Sequence, residues 1–377
     1  MDPKEGNLRL SRPAGEVGSR SEPGEGAGRE ALTRRADARR PLPQAGEVQS
    51  ALPREGWQRK AAWIDLHPEE IAALLRPVIG GGAVVSVQPV TGGLVNTNLK
   101  VTLGGPPYTV LLRLFQREPL KARIEAAVDA LLGDDLPRAR FLHFDETNPV
   151  TGDPYAVLQW IDGTQLGAVA RGADEAALAE LGARTGAVLA QIHSFRFDRH
   201  GFFAADLSVP AAIDLDRAGL LAFMRQCLCD GPGGERLGAA LTAGLFAFVE
   251  REGDRLNAWL GTPCLTHADF NPSNILVRRE VDTWRIAAVL DWEFALSATP
   301  ALDFGNLLRP PFDSRAGFAE ALAQGYRAAG GFLPDNWLRI ARMADLFAWA
   351  DLLGRRSEDP ALTSDARRII TATIESG

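Results

Sequence analysis

The sequence predicts an α+β protein in which a β-rich part with one inserted helix precedes a mostly helical part. Three observations carry this. Short segments rich in β-branched residues, partly alternating apolar and polar, crowd the stretch between residues 84 and 161. Long segments with apolar residues at i, i+3 and i+4 dominate after Gly163. The 377 residues, 46% hydrophobic and 24% charged, suffice for two folded units, and no uncharged apolar run approaches the roughly 18 residues that a membrane span needs.

Residues 1–60 are dominated by Gly, Pro, Glu and Arg without any sustained apolar period, which predicts a disordered tail. HPEEIAALLRPVIG then reads as an amphipathic helix, with acidic residues in its first turn and Gly80-Gly81-Gly82 as its stop. AVVSVQPV, TNLKVTLG and YTVLLRLF read as strands of an antiparallel meander, separated by turn signals at Thr91-Gly92-Gly93 and Gly104-Gly105-Pro106-Pro107. LKARIEAAVDALLG follows as the inserted helix, and ARFLHFD and YAVLQWI as two further strands. Residues 61–160 therefore form the β-rich part and 161–377 the helical part. The latter is interrupted once, at ILVRREVDTWRIAAVLDWE, which reads as a β-hairpin, and it ends in helices around Trp337 to Leu353 and Asp365 to Ile374.

Composition excludes several functions. A net charge of -7 with no basic domain speaks against nucleic acid as a partner. Three cysteines without paired CxxC motifs offer no zinc site, and Cys227 and Cys229, in the apolar stretch LLAFMRQCLCD, are expected to be buried thiols. The N-terminus lacks the apolar core of a signal peptide, so the expected location is the cytoplasm.

The densest polar cluster in apolar surroundings is LTHADFNPSNILV, followed by VLDWEF. Asp269 and Asn274 share a loop that Pro272 keeps from becoming a helix, and Asn274 immediately precedes the first strand of the hairpin. Asp291 immediately follows the second strand. A hairpin returns its chain to the end at which it started, so Asn274 and Asp291, 17 positions apart in sequence, are expected to meet in space. A carboxylate and an amide oxygen suit Mg²⁺, which fills the rest of its octahedron with water and phosphate oxygens. Asp269 is then placed as a base beside the metal.

The pattern H-x-D-x-x-x-x-N followed by a metal aspartate is the layout of a phosphoryl-transfer site. From His267 to Glu293 it resembles the catalytic signature of the aminoglycoside phosphotransferase and choline kinase-like family, and the similarity extends from about Asp65 to the C-terminus. The resemblance implies a bilobal protein-kinase-like fold. It also implies transfer of the γ-phosphoryl group of ATP, with GTP as the alternative donor, to a hydroxyl of a small molecule such as an aminoglycoside, sugar or amino alcohol. Mg²⁺ would be the cofactor, and neither membrane nor obligate protein partner is expected.

Carried onto this chain, the resemblance places Gly92, Gly93 and Asn96 in a turn over the nucleotide phosphates, Arg113 as the strand cation that reaches them, and Glu125 as the partner that holds Arg113. The backbone from Gln159 to Ile161 would meet the adenine edge. His193, His267 and Asp303 are expected to support the catalytic loop, and Glu293 to anchor it. The family usually has glycine where this chain has Ala268, so the loop either avoids positive φ there or accepts strain.

A non-catalytic nucleotide-binding protein on the same fold is the alternative; loss of Asp269, Asn274 or Asp291 would mark it, and none is lost. A protein kinase is disfavoured because FALSATPALDFGN is too short for an activation segment. From Leu296 to Gly377 there are 10 acidic and 9 basic residues, a net of -1 that does not favour a polycationic acceptor. The segment from Asp198 to Trp259 would shape the acceptor pocket, with Asp214, Asp216 and Trp259 as candidate contacts.

Overall fold

The computed structural model describes residue 59 and residues 61–91, 95–116, 118–315, 317–357 and 359–376. The predicted tail up to residue 58 and the turn residues Gly92 and Gly93 lie outside the described residues. Helix α1 (Pro68–Ile79) begins where expected: Pro68 takes the first helical position and Glu70 Oε2 accepts from the His67 N–H at 2.7 Å. Strands β1 (Val84–Pro89), β2 (Thr97–Leu103) and β3 (Thr109–Leu114) form the meander, helix α2 (Pro119–Leu132) follows, and β4 (Phe141–Asp145) and β5 (Tyr155–Gln159) complete an antiparallel sheet in the order β1-β2-β3-β5-β4.

The period of two sorts the side chains between the two faces. Val110, Leu112 and Leu114 of β3 pack with Leu99 and Val101 of β2 and with Leu74 and Leu75 of α1. Position 113 falls on the other face, the one covered by α2. On α2 the buried positions Ala122, Glu125, Val128 and Leu132 recur at helical spacing, so the stripe that seats this helix also carries a carboxylate under the sheet.

The helical part contains β6 (Thr164–Gln165), α3 (Leu166–Gly172), α4 (Glu175–Ile192), β7 (Gly201–Phe202), α5 (Arg217–Met224), α6 (Gly233–Leu237) and α7 (Ala239–Glu252). It continues through β8 (Cys264–Thr266), the hairpin β9 (Ile275–Glu280) and β10 (Thr283–Val289), β11 (Leu296–Ala298), α8 (Pro300–Leu307), α9 (Phe318–Ala328), α10 (Trp337–Ala344), α11 (Leu346–Gly354) and α12 (Pro360–Glu375). Two expectations are corrected here. The chain around Cys227 leaves the α-helix at Met224 for a π turn over Arg225–Cys229, which buries Cys227 but exposes Cys229. The segment from Trp337 to Leu353 is two helices, parted at Asp345, whose carboxylate takes both Arg309 Nε (2.8 Å) and Nη2 (2.7 Å). No helix among the described residues is long and apolar enough to cross a membrane.

Helices α4 and α9 cross almost backbone to backbone. A Cβ on Gly186 would sit 2.1 Å from the Leu322 carbonyl oxygen, and one on Gly325 2.0 Å from that of Ala183. Gly186→Ala is therefore expected to destabilise the protein by about 2 kcal/mol despite alanine's better helix propensity, because the helices must part. Thermal denaturation beside Gly244→Ala, whose Cβ meets nothing within 4 Å in α7, separates the two effects; the control should be neutral or stabilised.

Candidate active site

The loop between β8 and β9 is held from below by one buried carboxylate. Asp303, in the first turn of α8, accepts from the backbone N–H of His267 (Oδ2, 2.9 Å) and of Ala268 (Oδ1, 2.8 Å). Its Oδ2 also lies 3.1 Å from His193 Nε2, and His193 Nδ1 lies 3.0 Å from the Tyr326 hydroxyl. Ala268 adopts φ 60°. The loop thus takes the strained option, at a cost of about 1 kcal/mol for a residue with a Cβ, and the paired N–H bonds to Asp303 hold it there. His267 Nε2 donates to the Leu290 carbonyl at 2.8 Å while its Nδ1 accepts from the Asp269 N–H at 3.2 Å. Those two bonds together require the neutral ring with its proton on Nε2.

Asp269 is buried, and two amides hold its carboxylate. Oδ1 accepts from Asn271 Nδ2 at 3.2 Å and Oδ2 from Asn274 Nδ2 at 3.0 Å. Both amides also donate to the Asp269 carbonyl, at 2.9 Å each. Asn271 in turn accepts at Oδ1 from the N–H (2.9 Å) and hydroxyl of Ser273, which closes the turn around Pro272. With its nitrogen committed to Asp269, Asn274 keeps Oδ1 as the atom able to bind a cation.

The hairpin closes as expected: Ile275 pairs with Val289, and the Leu290 N–H donates to the Asn274 carbonyl at 2.8 Å. Asp291 then turns the chain in the left-handed region, φ 61° and ψ 65°. Its side chain is 40% exposed, and Oδ1 accepts from Arg113 Nη2 at 2.8 Å.

Arg113 is almost fully buried and spends its fork on three elements. Beyond Asp291, Nη1 donates to Glu125 Oε1 of α2 at 2.7 Å and Nε to Asn98 Oδ1 of β2 at 3.0 Å. Burial alone would lower its pKa, but Glu125, Asp291 and Glu293 outweigh that and raise it. Burial pushes the Glu125 carboxyl up, against the pull of Arg113, and Glu125 Oε2 has no hydrogen-bond partner.

Asn96 is also buried; its Nδ2 lies 3.5 Å from Glu293 Oε2, and its Oδ1 accepts from the Gln116 N–H at 3.2 Å. The structure thereby gathers Asn96, Arg113, Glu125, Asp269, Asn274 and Asp291 around the junction of sheet, loop and hairpin. Gln159 lies away from this cluster at the exposed end of β5, its N–H given to the Arg140 carbonyl at 2.8 Å, and the half-buried Ile161 follows it.

Two residues of the cluster were missed in the sequence, Asn98 and Asn271. Asn98 pairs directly across from Arg113 in the register of β2 and β3, so it was open to discovery once that register was written out. Asn271 carried the Asn-Pro-Ser signature of a side-chain-capped turn. Of the candidate acceptor contacts between Asp198 and Trp259, Asp216 caps α5 by accepting from the Gly219 N–H at 2.8 Å, and Trp259 is buried against Phe304.

An antiparallel sheet with a buried arginine–glutamate pair, joined to a helical part that presents an H-x-D-x-x-x-x-N loop and an aspartate turn, defines a phosphotransferase of kinase-like architecture. More particularly, the chain belongs to the phosphotransferase enzyme family (APH), whose sequence model matches residues 86–341. No curated protein matches the chain. Among solved structures, the GDP complex of wild-type aminoglycoside 2'-phosphotransferase-IIIa is 14% identical, with a TM-score of 0.61 over 82% of this chain and 99% of that one. The GDP and kanamycin complex of APH(2")-IIIa is 15% identical, with a TM-score of 0.60 over 81% and 99%. A ternary complex of a thermostable variant of APH(4)-Ia with ADP and hygromycin B is 16% identical, with a TM-score of 0.59 over 82% and 99%. At these identities the likeness is one of fold.

Proposed function

We propose that this protein is a Mg²⁺-dependent kinase that transfers the γ-phosphoryl group of ATP or GTP to a hydroxyl of a small molecule in the cytoplasm, with no nucleic-acid, membrane or obligate protein partner. The observation that carries the reading is the meeting of Asp269, Asn274 and Asp291 at one end of the hairpin, with Arg113 reaching Asp291 from the sheet. Family membership supports phosphoryl transfer. Neighbours complexed with GDP or ADP, some of them also with kanamycin or hygromycin B, support a nucleotide donor and a small acceptor. In this reading residues 61–160 hold the nucleotide and 161–377 the acceptor.

The donor set fits Mg²⁺. Asp291 offers a half-open carboxylate and Asn274 an amide oxygen, two hard donors whose small number leaves room for phosphate oxygens and water. Among the described residues no group of three His, Cys, Asp or Glu offers a closed cage for a softer metal. When bound, Mg²⁺ supplies neutralisation of the charge on the phosphates during transfer.

The chain's own residues supply the rest. Asp269, fixed by Asn271 and Asn274, orients the acceptor hydroxyl and takes its proton as that oxygen bonds to the γ-phosphorus. The bond from the γ-phosphorus to the β–γ bridging oxygen breaks, and the nucleoside diphosphate leaves. Arg113, steadied by Glu125 and Asn98, presents a fixed positive charge to the phosphates, and the turn bearing Gly92, Gly93 and Asn96 covers them. The backbone at Gln159 and Ile161 meets the base; the Gln159 amide is already given to Arg140, which leaves this contact to the Gln159 carbonyl and the Ile161 backbone.

The test is a calorimetric titration of the full chain with ATP and with GTP, each with and without Mg²⁺, repeated on Asp291→Ala. Wild type is expected to bind at least about tenfold more tightly with Mg²⁺, and the variant to lose that gain because the site keeps no carboxylate ligand. Equal Mg²⁺ dependence in the two proteins would remove Asp291 from the metal site. Absence of binding by folded wild type would overturn the kinase reading.

A further inference from the structure

We propose that Arg59 is a positioning residue that straps residues 95–97, at the start of β2, in place, so that nucleotide affinity depends on a residue outside the matched family region. The dependence on nucleotide rests on the function proposed above; the strap itself rests on geometry alone. Arg59 Nη1 donates to the Asn96 carbonyl at 3.0 Å and Nη2 to the Val95 carbonyl at 2.6 Å. Nη2 also reaches Gln116 Oε1 at 3.1 Å and Thr97 Oγ1 at 3.4 Å, and the guanidinium lies over the Trp63 ring, 4.3 Å from its centroid.

The strap is embedded in a network. The Thr97 hydroxyl donates to Gln116 Oε1 at 2.8 Å and accepts from the Ile64 N–H at 3.2 Å, while Gln116 Nε2 donates to the Ala62 carbonyl at 2.8 Å. The Gln116 N–H holds Asn96 Oδ1, and the Asn96 amide reaches Glu293, two residues from Asp291. Thus the short stretch from 59 to 64 is tied through the turn to the metal-side carboxylates. The family match begins at residue 86, so the stretch lies before the matched residues.

Two backbone carbonyls side by side, turned toward one cation, are a demanding arrangement. A planar fork satisfies both at once and a side-chain oxygen besides, which a lysine ammonium on a flexible stem does not reproduce. The consequence is that residues 95–97 are held before any phosphate arrives, so binding forfeits less conformational entropy there.

The experiment compares the full-length wild type, Arg59→Ala and Arg59→Lys by hydrogen exchange of the amides at 95–97 without nucleotide, by the Kd for Mg·ATP and Mg·GTP, and by Tm. Arg59→Ala is expected to speed exchange at 95–97 about tenfold and to weaken nucleotide binding about fivefold, with Tm within about 3 °C of wild type. Arg59→Lys should recover less than half of either loss. Unchanged exchange in Arg59→Ala overturns the strap, and faster exchange with unchanged Kd overturns its link to nucleotide. If wild type binds neither ATP nor GTP, the proposed nucleotide site falls, and with it the effect on affinity, while exchange still decides whether Arg59 holds residues 95–97.

Discussion

Asp269→Asn is expected to lower turnover by about 10²- to 10⁴-fold while leaving nucleotide affinity within about twofold of wild type. The substitution is nearly isosteric, so the loop keeps its shape. The Asp269 carbonyl still receives both asparagine amides, and the Ala268 and His267 N–H groups still reach Asp303. What is lost is specific. A carboxylate that accepts from Asn271 on one oxygen and Asn274 on the other becomes an amide with one oxygen, so its nitrogen must face one of those donors. The proton of the acceptor hydroxyl then has no base. A screen of hydroxylated small molecules for phosphate transfer identifies the acceptor, and single-turnover kinetics with it isolate the chemical step. A turnover unchanged from wild type would remove Asp269 from its role as base.

The parts of this site that were legible in the sequence are those set by local rules. The approach of Asn274 to the end of the second strand follows from the return of a hairpin: with Ile275 paired to Val289, Asn274 stands opposite Leu290, the residue before Asp291. Glu125 was named as the partner of Arg113 through the family resemblance, and the two side chains do pair, Nη1 to Oε1 at 2.7 Å. What was not legible depends on long-range partners. The Arg113 to Asp291 bond spans 178 positions and the Asn96 to Glu293 contact 197, and no pattern in either segment encodes its opposite number. The conformation of Ala268 belongs to the same class. Alanine in the sequence left ordinary φ and a strained positive φ both open, and the Asp303 carboxylate that holds the left-handed form lies 35 positions away. The break at Asp345 escaped notice because the apolar period runs through it from Trp337 to Leu353; the arginine that captures the carboxylate lies 36 positions earlier.

Asp303→Ala is expected to destabilise the protein by about 3–5 kcal/mol, because it strips partners from three groups at once, two of them buried. The N–H groups of His267 and Ala268 lose their acceptors, the first of them in the buried interior, and His193 loses the carboxylate at its Nε2. The strain at Ala268 then has nothing to offset it, so the loop is expected to relax toward negative φ and carry Asp269 with it. For a domain of this size the loss corresponds to a fall in Tm of about 10 °C. Activity should fall further than the folded fraction does, since even the molecules that stay folded would present Asp269 from a displaced loop. Asp303→Asn separates the two contributions: its single oxygen can serve one N–H, its amide nitrogen opposes the other, and half of the loop's anchorage survives. Thermal denaturation together with hydrogen exchange at 267–269 checks this directly. A Tm loss in Asp303→Ala with exchange at those amides unchanged would mean that Asp303 supports the helical core through His193 alone, and that the catalytic loop holds its left-handed turn by other means.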